Sequence, residues 1–231
     1  MMGFECNTGN YVIEKMLTED DPYISQLEAI YLEAFPPSET IPFRTILKKF
    51  EKLKERIYYC RKENEVIAIA LIAIFEDPSF LLLDYFALKK EWRGKGIGTA
   101  FLRHLVQYSN EQDPNLLLVA EVEDPEYGEK KNLKMRRIQF YQQVGMNVLQ
   151  NVVYFLPPLN EKEVKYEYEI NPEVFTHLKL LVVSSKSLED FSPVIVKSII
   201  VKLYTIHYKL KNYSAVLQMI LENVPNSLIF I

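Results

Sequence analysis

Residues 93–98, Arg-Gly-Lys-Gly-Ile-Gly, place three glycines within five positions of a chain that holds seven in all. Glycine is favoured where the backbone turns tightly or approaches a ligand closely. The stretch follows an apolar run, FLLLDYFAL (80–88), and precedes a helix-like one, TAFLRHLVQYSN (99–110). A strand, a glycine loop and a helix start, in that order, build an anion site. The N–H groups of the first turn lack helical partners and the helix dipole favours negative charge. The spacing is not the G-x-x-x-x-G-K-[ST] of a nucleotide P-loop, nor the G-x-G-x-x-G of a dinucleotide site. It is R-x-x-G-x-G. The plainer alternative is a tight turn with a solvated arginine and lysine.

The elements that must position this loop follow from periodicity. NYVIEKML (10–17) reads as a strand. PYISQLEAIYLEAF (22–35) is a helix with Ile24, Leu27, Ile30 and Tyr31 at helical spacing, stopped by FPPS. PFRTILKKFEKLKE (42–55) is a second, with Phe43, Ile46, Leu47, Phe50 and Leu53 on one face. IYYCRKENEVIAIALIAIF (57–75) is a hairpin turning at KENE. The run 80–88 is a strand covered on both faces. A helix over 99–109 follows, then a buried strand NLLLVAEVE (115–123) ended by DP. KNLKMRRIQFYQQVG (131–145) is a helix with Gly145 as its C-terminal cap, and MNVLQNVVYF (146–155) returns to strand. Antiparallel strands come first and β-α-β units after them. This predicts an α/β (α+β) fold: a mixed, mostly antiparallel central sheet with helices on both faces.

Beyond this point, PPLNEKEVKYEYEINP (157–172) reads as a hinge or long loop, and THLKLLVVS (176–184) as a further strand. After Pro193, the residues Val196, Ile199, Ile200, Leu203, Ile206 and Leu210 fit one helical face. Leu217, Ile220, Leu221 and Val224 fit a second.

Composition narrows the function classes. At 231 residues, 48% hydrophobic and 25% charged, the chain has the balance of a soluble globular protein with a sizeable core. A net charge of −4 argues against nucleic acid as the partner. Cys6 and Cys60 stand far apart, outside any metal-ligand spacing, and read as reduced thiols. His104, His177 and His207 form no zinc motif, so no metal is expected. No basic-then-apolar leader opens the sequence, and no run reaches the roughly 18 apolar residues of a membrane span. The expected location is the cytoplasm, away from the membrane.

Strand, RGKGIG, helix, strand and then FYQQVGM (140–146) together resemble the GNAT superfamily of acyl-CoA-dependent N-acyltransferases. The further stretches AFPPSETIPF (34–43), AEVEDP (120–125), RRIQFYQQVG (136–145) and YFLPP (154–158) resemble a bacterial subgroup of unassigned substrate, which also carries a Tyr-rich C-terminal extension like KLYTIHYKL (202–210). The resemblance implies that Arg93, Gly94, Lys95, Gly96, Ile97 and Gly98 wrap the pyrophosphate of acetyl-CoA, with Thr99 opening the helix. It implies that the strand end Phe86, Ala87 and Leu88 binds the thioester carbonyl and pantetheine amides through the backbone. Tyr141 falls at the position of the general acid that protonates the departing thiolate. Met146 stands where the family usually has an aromatic. On this basis residues 1–158 are expected to form the acyl-CoA-binding catalytic core and 159–231 a C-terminal extension of a strand and two helices, packed on the core or on a partner chain.

Direct transfer needs a base for the amine and an acid for the thiolate. The carboxylates nearest the implied site are Glu121 and Glu123, which strand alternation puts on one face. Asp84, inside an apolar run, is a third candidate, since such surroundings raise a carboxyl pKa. The ranking is Glu121, Glu123, Asp84. The resemblance, in which the loop between the first two helices lines the acceptor side, implies that Glu39 meets a cationic substrate. The structural alternatives are a core aromatic for Tyr141, which shares a face with Ile138; ion pairs with Arg136 and Arg137 for the two glutamates; a lysine or backbone partner for Asp84; and packing for His104 and for Tyr204, Tyr208 and Tyr213 of the tail, against the core or across a homodimer interface. The implied function is an acetyl-CoA-dependent N-acetyltransferase acting on a primary amine of a small molecule or lysine side chain. The alternative is a non-catalytic acyl-CoA-binding regulatory or interaction module.

Overall fold

Alternation along adjacent tyrosines sorts the layers of the first part of the chain. Tyr58 meets Tyr108 with ring centroids 6.1 Å apart, whereas its neighbour Tyr59 joins the opposite core beside Leu27 and Ile30. A computed structural model describes residues 6–7, 11–37, 40–52, 55–113, 116–156, 175–184, 191–210 and 214–231. The chain divides into two units, Met1–Leu118 and Val119–Ile231, which are taken in turn.

The first unit holds β1 (Cys6–Asn7), β2 (Val12–Lys15), α1 (Ile24–Ala34), α2 (Phe43–Glu51), β3 (Glu55–Lys62), β4 (Glu65–Phe75), β5 (Phe80–Leu88) and α3 (Ile97–Gln112). The five strands pair consecutively and antiparallel, with Ile13 opposite Cys60 and Lys62 opposite Glu65 across the expected hairpin. β4 is buried on both faces because apolar residues fill both phases of its alternation. On one face α1 and α2 bury Leu27, Ile30, Tyr31, Phe43 and Ile46 against Ile57, Val66, Ile69 and Leu71. On the other, α3 supplies Phe101, whose ring lies 5.5 Å from that of Phe86. Gln26 staples α1 to the β3–β4 turn: its Nε2 donates to the Asn64 carbonyl at 3.0 Å and its Oε1 accepts from the Val66 N–H at 2.9 Å. Cys60 is a free, buried thiol.

The second unit begins in β6 (Leu117–Glu123) and continues through α4 (Lys131–Gln142), β7 (Asn147–Val148), β8 (Tyr154–Leu156), β9 (Thr176–Val183), α5 (Pro193–Lys202) and α6 (Ser214–Asn223). Pairing is again antiparallel: β9 takes β7 and β8 along one edge, with Val148 opposite Leu181 and Tyr154 opposite Leu178. Both units are thus mixed α/β with antiparallel pairing dominant, as the pattern predicts.

Two stretches of the second unit differ from the expectation. The single strand expected over 146–155 is two short strands with a turn between them. The Leu149 N–H still donates to the Leu180 carbonyl of β9 at 2.9 Å, and the C-terminal residues pair with the same stretch: the Val148 N–H donates to the Ile231 carbonyl at 2.8 Å, Leu149 bridges Phe230, and the Gln150 N–H donates to the Ile229 carbonyl at 2.9 Å. The Asn151 side chain holds the turn, donating to the Ser227 carbonyl and accepting from the Ile229 N–H. The second difference lies beyond α5. Ser192 caps that helix by accepting the Ile195 N–H, and Pro193 occupies the first helical position. The helix then widens into a π turn, Leu203–His207, closed by the Tyr208 N–H donating to the Leu203 carbonyl. The extra residue rotates the side chains that follow. Val196, Ile199, Ile200 and Leu203 are buried as expected, but Ile206 is 50% exposed and Tyr204 is buried in its place. The stretch 157–172 lies outside the described residues.

Gly145 ends α4 as expected, at φ +91°. The Met146 N–H reaches the Tyr141 carbonyl and the Gly145 N–H the Gln142 carbonyl, the pair of bonds that closes a Schellman motif. A Cβ at this position meets only Val183 Cγ2, at 4.0 Å, so the cost of a side chain there is backbone strain alone. Gly145→Ala is expected to destabilise by about 1–2 kcal/mol, read as a lower midpoint in thermal or urea unfolding, and an unchanged midpoint would contradict this.

Candidate functional site

The glycine loop is built by a change of hand in the backbone. β5 ends at Leu88, a short 3₁₀ turn covers Lys90–Trp92, and Gly94 and Gly96 then take φ of +74° and +78°. L-residues rarely adopt that region, which is why glycine stands at both places. A Cβ built on either would meet nothing within 4 Å, so the ground above both is open. α3 begins at Ile97, two residues earlier than expected, because left-handed Gly96 serves as its N-cap. Thr99 therefore sits within the first turn rather than opening it. The first helical bond runs from the Ala100 N–H to the Gly96 carbonyl at 3.0 Å. No side chain caps this helix and its first turn carries no acid. The N–H groups of Ile97, Gly98 and Thr99 thus have no partner in the helix ladder.

Cations flank the loop. Arg93 is anchored by its Nε, which donates to the Leu88 carbonyl at 3.0 Å. Lys95 lies over the Trp92 ring with its Nζ 4.6 Å from the centroid, and Lys62 approaches the same ring at 5.6 Å. Trp92 is a residue that motif spacing did not single out. Its only signal was its place directly before Arg93.

β5 leads into the loop with a useful register. The Lys89 N–H donates to the Ile67 carbonyl, and Ala87 lies opposite Ile69. In an antiparallel ladder every second residue turns its N–H and C=O to the other side. Ala87 therefore spends its groups on β4, while Phe86 and Leu88 turn theirs away. Further up the strand, Tyr85 lies opposite Leu71 and Leu83 opposite Ile72, leaving Asp84 as the extra residue of a β-bulge. A bulge re-aims the side chain it carries, and Asp84 is half-buried there. Beside it, Tyr85 packs edge-on against Tyr31 and Phe35, each at 4.9 Å. Burial pushes the Tyr85 phenol up, and the Asp84 charge adds to the shift. The Tyr31 hydroxyl pins the α1–α2 loop by bonding both the N–H and the carbonyl of Ile41. Glu39, in that loop, lies outside the described residues.

In the second unit, Glu121 and Glu123 stand on one face of β6 with Val122 buried between them. Glu123 pairs with Arg137 of α4. Glu121 accepts hydrogen bonds from two phenols, Tyr154 at Oε1 and Tyr208 at Oε2. Burial, with the Glu121 charge as the next contribution, holds the Tyr154 phenol well above its usual range. Sequence periodicity places Tyr208 in the packing of the tail and Tyr154 in a strand, and neither position signals the partner they share. Tyr141 is half-buried on α4, edge-on to Phe140. Burial pushes its phenol up to about 12, against a smaller opposing pull from Arg137. Among the described residues, no group of three or more His, Cys, Asp or Glu side chains is arranged to hold a metal ion, and no helix is long and apolar enough to cross a membrane.

Comparison with known proteins places this geometry. Residues 24–146, more than half of the chain, match the model of the acetyltransferase (GNAT) family. A comparison with curated proteins found no match. Among solved structures, a GNAT-family protein of Bacteroides thetaiotaomicron superposes with a TM-score of 0.66 at 24% identity, over 86% of this chain and 99% of that one. A GNAT-family acetyltransferase of Elizabethkingia anophelis, solved with acetyl-CoA bound, superposes with a TM-score of 0.51 at 16% identity, over 77% and 99%. The ribosomal-protein-S5-alanine acetyltransferase of Vibrio fischeri does so with a TM-score of 0.54 at 11% identity, over 80% and 98%. At these identities the likeness is one of fold. The family match and the glycine loop at an uncapped helix start agree, and the chain belongs to the acetyltransferase (GNAT) family.

Proposed function

We propose that the protein is an acetyl-CoA-dependent N-acetyltransferase that moves the acetyl group directly to a primary amine, on a cationic small molecule or a lysine side chain. The observation that carries this reading is the loop: two left-handed glycines under open ground, leading into a helix whose first N–H groups are uncapped. Such a cradle fits a pyrophosphate, with the helix dipole and nearby Arg93 and Lys95 adding attraction. Acetyl-CoA in the Elizabethkingia anophelis relative supports the same donor here. The strand end Phe86, Ala87 and Leu88 is assigned the backbone contacts to the thioester and the pantetheine arm, next to Arg93, whose Nε donates to the Leu88 carbonyl.

The chemistry then divides among named groups. Glu121 takes a proton from the acceptor ammonium, directly or through a water, which frees the nitrogen lone pair. The nitrogen attacks the thioester carbonyl carbon, the C–N bond forms, and N–H donors stabilise the oxyanion. The C–S bond breaks as Tyr141 gives its proton to the departing thiolate, and the second proton of the attacking nitrogen, acidic once the C–N bond has formed, restores the Tyr141 phenol directly or through a water. The 1–158 core is assigned the donor site and the acid, and the remaining 159–231 the role of support. Thiol release from acetyl-CoA across a panel of primary amines tests the proposal. Release that depends on one class of amine is expected. Tight acetyl-CoA binding with no release by any amine would favour a non-catalytic acyl-CoA-binding module instead.

A further inference from the structure

We propose that Tyr208, delivered by the π turn after α5, is a positioning residue for the Glu121 carboxylate. On this view the C-terminal segment completes the base rather than only packing. The inference rests on the reading of Glu121 as the general base.

Four observations lead to it. The two carboxylate oxygens take different phenols, Tyr154 on Oε1 and Tyr208 on Oε2. Donors on both oxygens, from elements far apart in sequence, fix the plane of the carboxylate as well as its place. Tyr154 is itself buried and lies in β8, paired with Leu178 of β9. The π turn then sets the phase of the helical segment. Tyr204 is buried in phase with Val196 and Ile200, and the turn, closed by the Tyr208 N–H, ends at the residue that reaches Glu121. A π turn is a rare departure that recurs at functional positions. Finally, the Tyr204 hydroxyl donates to the carbonyl of Phe155, the residue after Tyr154. The helical segment and β8 are therefore tied at neighbouring residues, one tie ending on backbone and the other on Glu121. Phenols are neutral donors, so the carboxylate they hold keeps its charge, the form that accepts a proton from an amine or bridging water.

The difference between the two ties supplies the test. Tyr208→Phe, Tyr154→Phe and Tyr204→Phe each remove one hydroxyl and keep the ring. Each is made in the wild type, and Tyr208→Phe also in the E121Q background. Turnover is followed as thiol release from acetyl-CoA with the best amine of the panel. Tyr208→Phe and Tyr154→Phe are each expected to lower kcat about tenfold or more, the usual weight of a bond to a charged group, with KM for acetyl-CoA unchanged. In the E121Q background the added Tyr208→Phe is expected to cost little more. Tyr204→Phe is expected to lower the melting temperature and leave kcat near that of the wild type. A full kcat in Tyr208→Phe, with E121Q inactive, would overturn the inference and leave Glu121 as the base. An equal loss from Tyr208→Phe with and without E121Q would reduce Tyr208 to a structural role. Full turnover in E121Q would overturn the base assignment itself, and the inference with it.

Discussion

Tyr141→Phe is expected to cut kcat by about 10²–10⁴, the range for loss of a positioned acid, while acetyl-CoA affinity stays close to that of the wild type. The change removes one oxygen and keeps the ring that packs edge-on against Phe140. The phenol is pushed up to about 12 by burial, so it holds its proton across the working range of the enzyme. The sign follows: the neutral phenol is the donating form, and raising its pKa extends the donating form upward in pH. The same buried surroundings disfavour a charged thiolate, which sharpens the need for a donor. Steady-state kinetics with a direct binding titration checks both halves. Unchanged turnover would remove Tyr141 from the acid role. A matched loss of acetyl-CoA binding would make it a binding residue.

Gly96→Glu is expected to weaken acetyl-CoA binding by a hundredfold or more, on the order of 3 kcal/mol. Two costs add. A non-glycine residue at φ +78° carries about 1–2 kcal/mol of strain. A carboxylate at the start of α3 also meets a helix end that now carries no acid, and opposes any anion brought there. Gly96→Ala separates the terms. Its Cβ meets nothing within 4 Å, so it carries the strain and none of the charge. A binding loss confined to Gly96→Glu would assign the effect to charge, and an equal loss in both to loop conformation. No loss in either folded variant would mean that the loop takes no phosphate.

Much of this was legible because it is local. R-x-x-G-x-G between an apolar run and a helical one marked the loop, since left-handed glycines and a helix start are written in adjacent residues. The β3–β4 hairpin and the Gly145 cap were legible for the same reason. What could not be read depends on partners distant in sequence. The turn between β7 and β8 needs Phe230 and Ile229, some eighty positions on. The bulge at Asp84 lies in a run that is apolar on both faces, so alternation has no phase to lose there. The π turn follows a sound α5 pattern, and only the exposure of Ile206 betrays the change of phase. Glu121 was ranked first among the carboxylates from its strand position. That two phenols hold it, one from β8 and one from the tail, is a tertiary fact. For Glu123 the Arg137 pair weighed as its plainer reading is present.

The most direct measurement is an isothermal titration of the purified chain with acetyl-CoA and with CoA lacking the acetyl group. Micromolar binding of both is expected, because the loop holds the part they share. Absence of binding to either ligand, in protein shown to be folded, would contradict the reading of Arg93–Gly98 as a phosphate cradle and with it the proposed reaction.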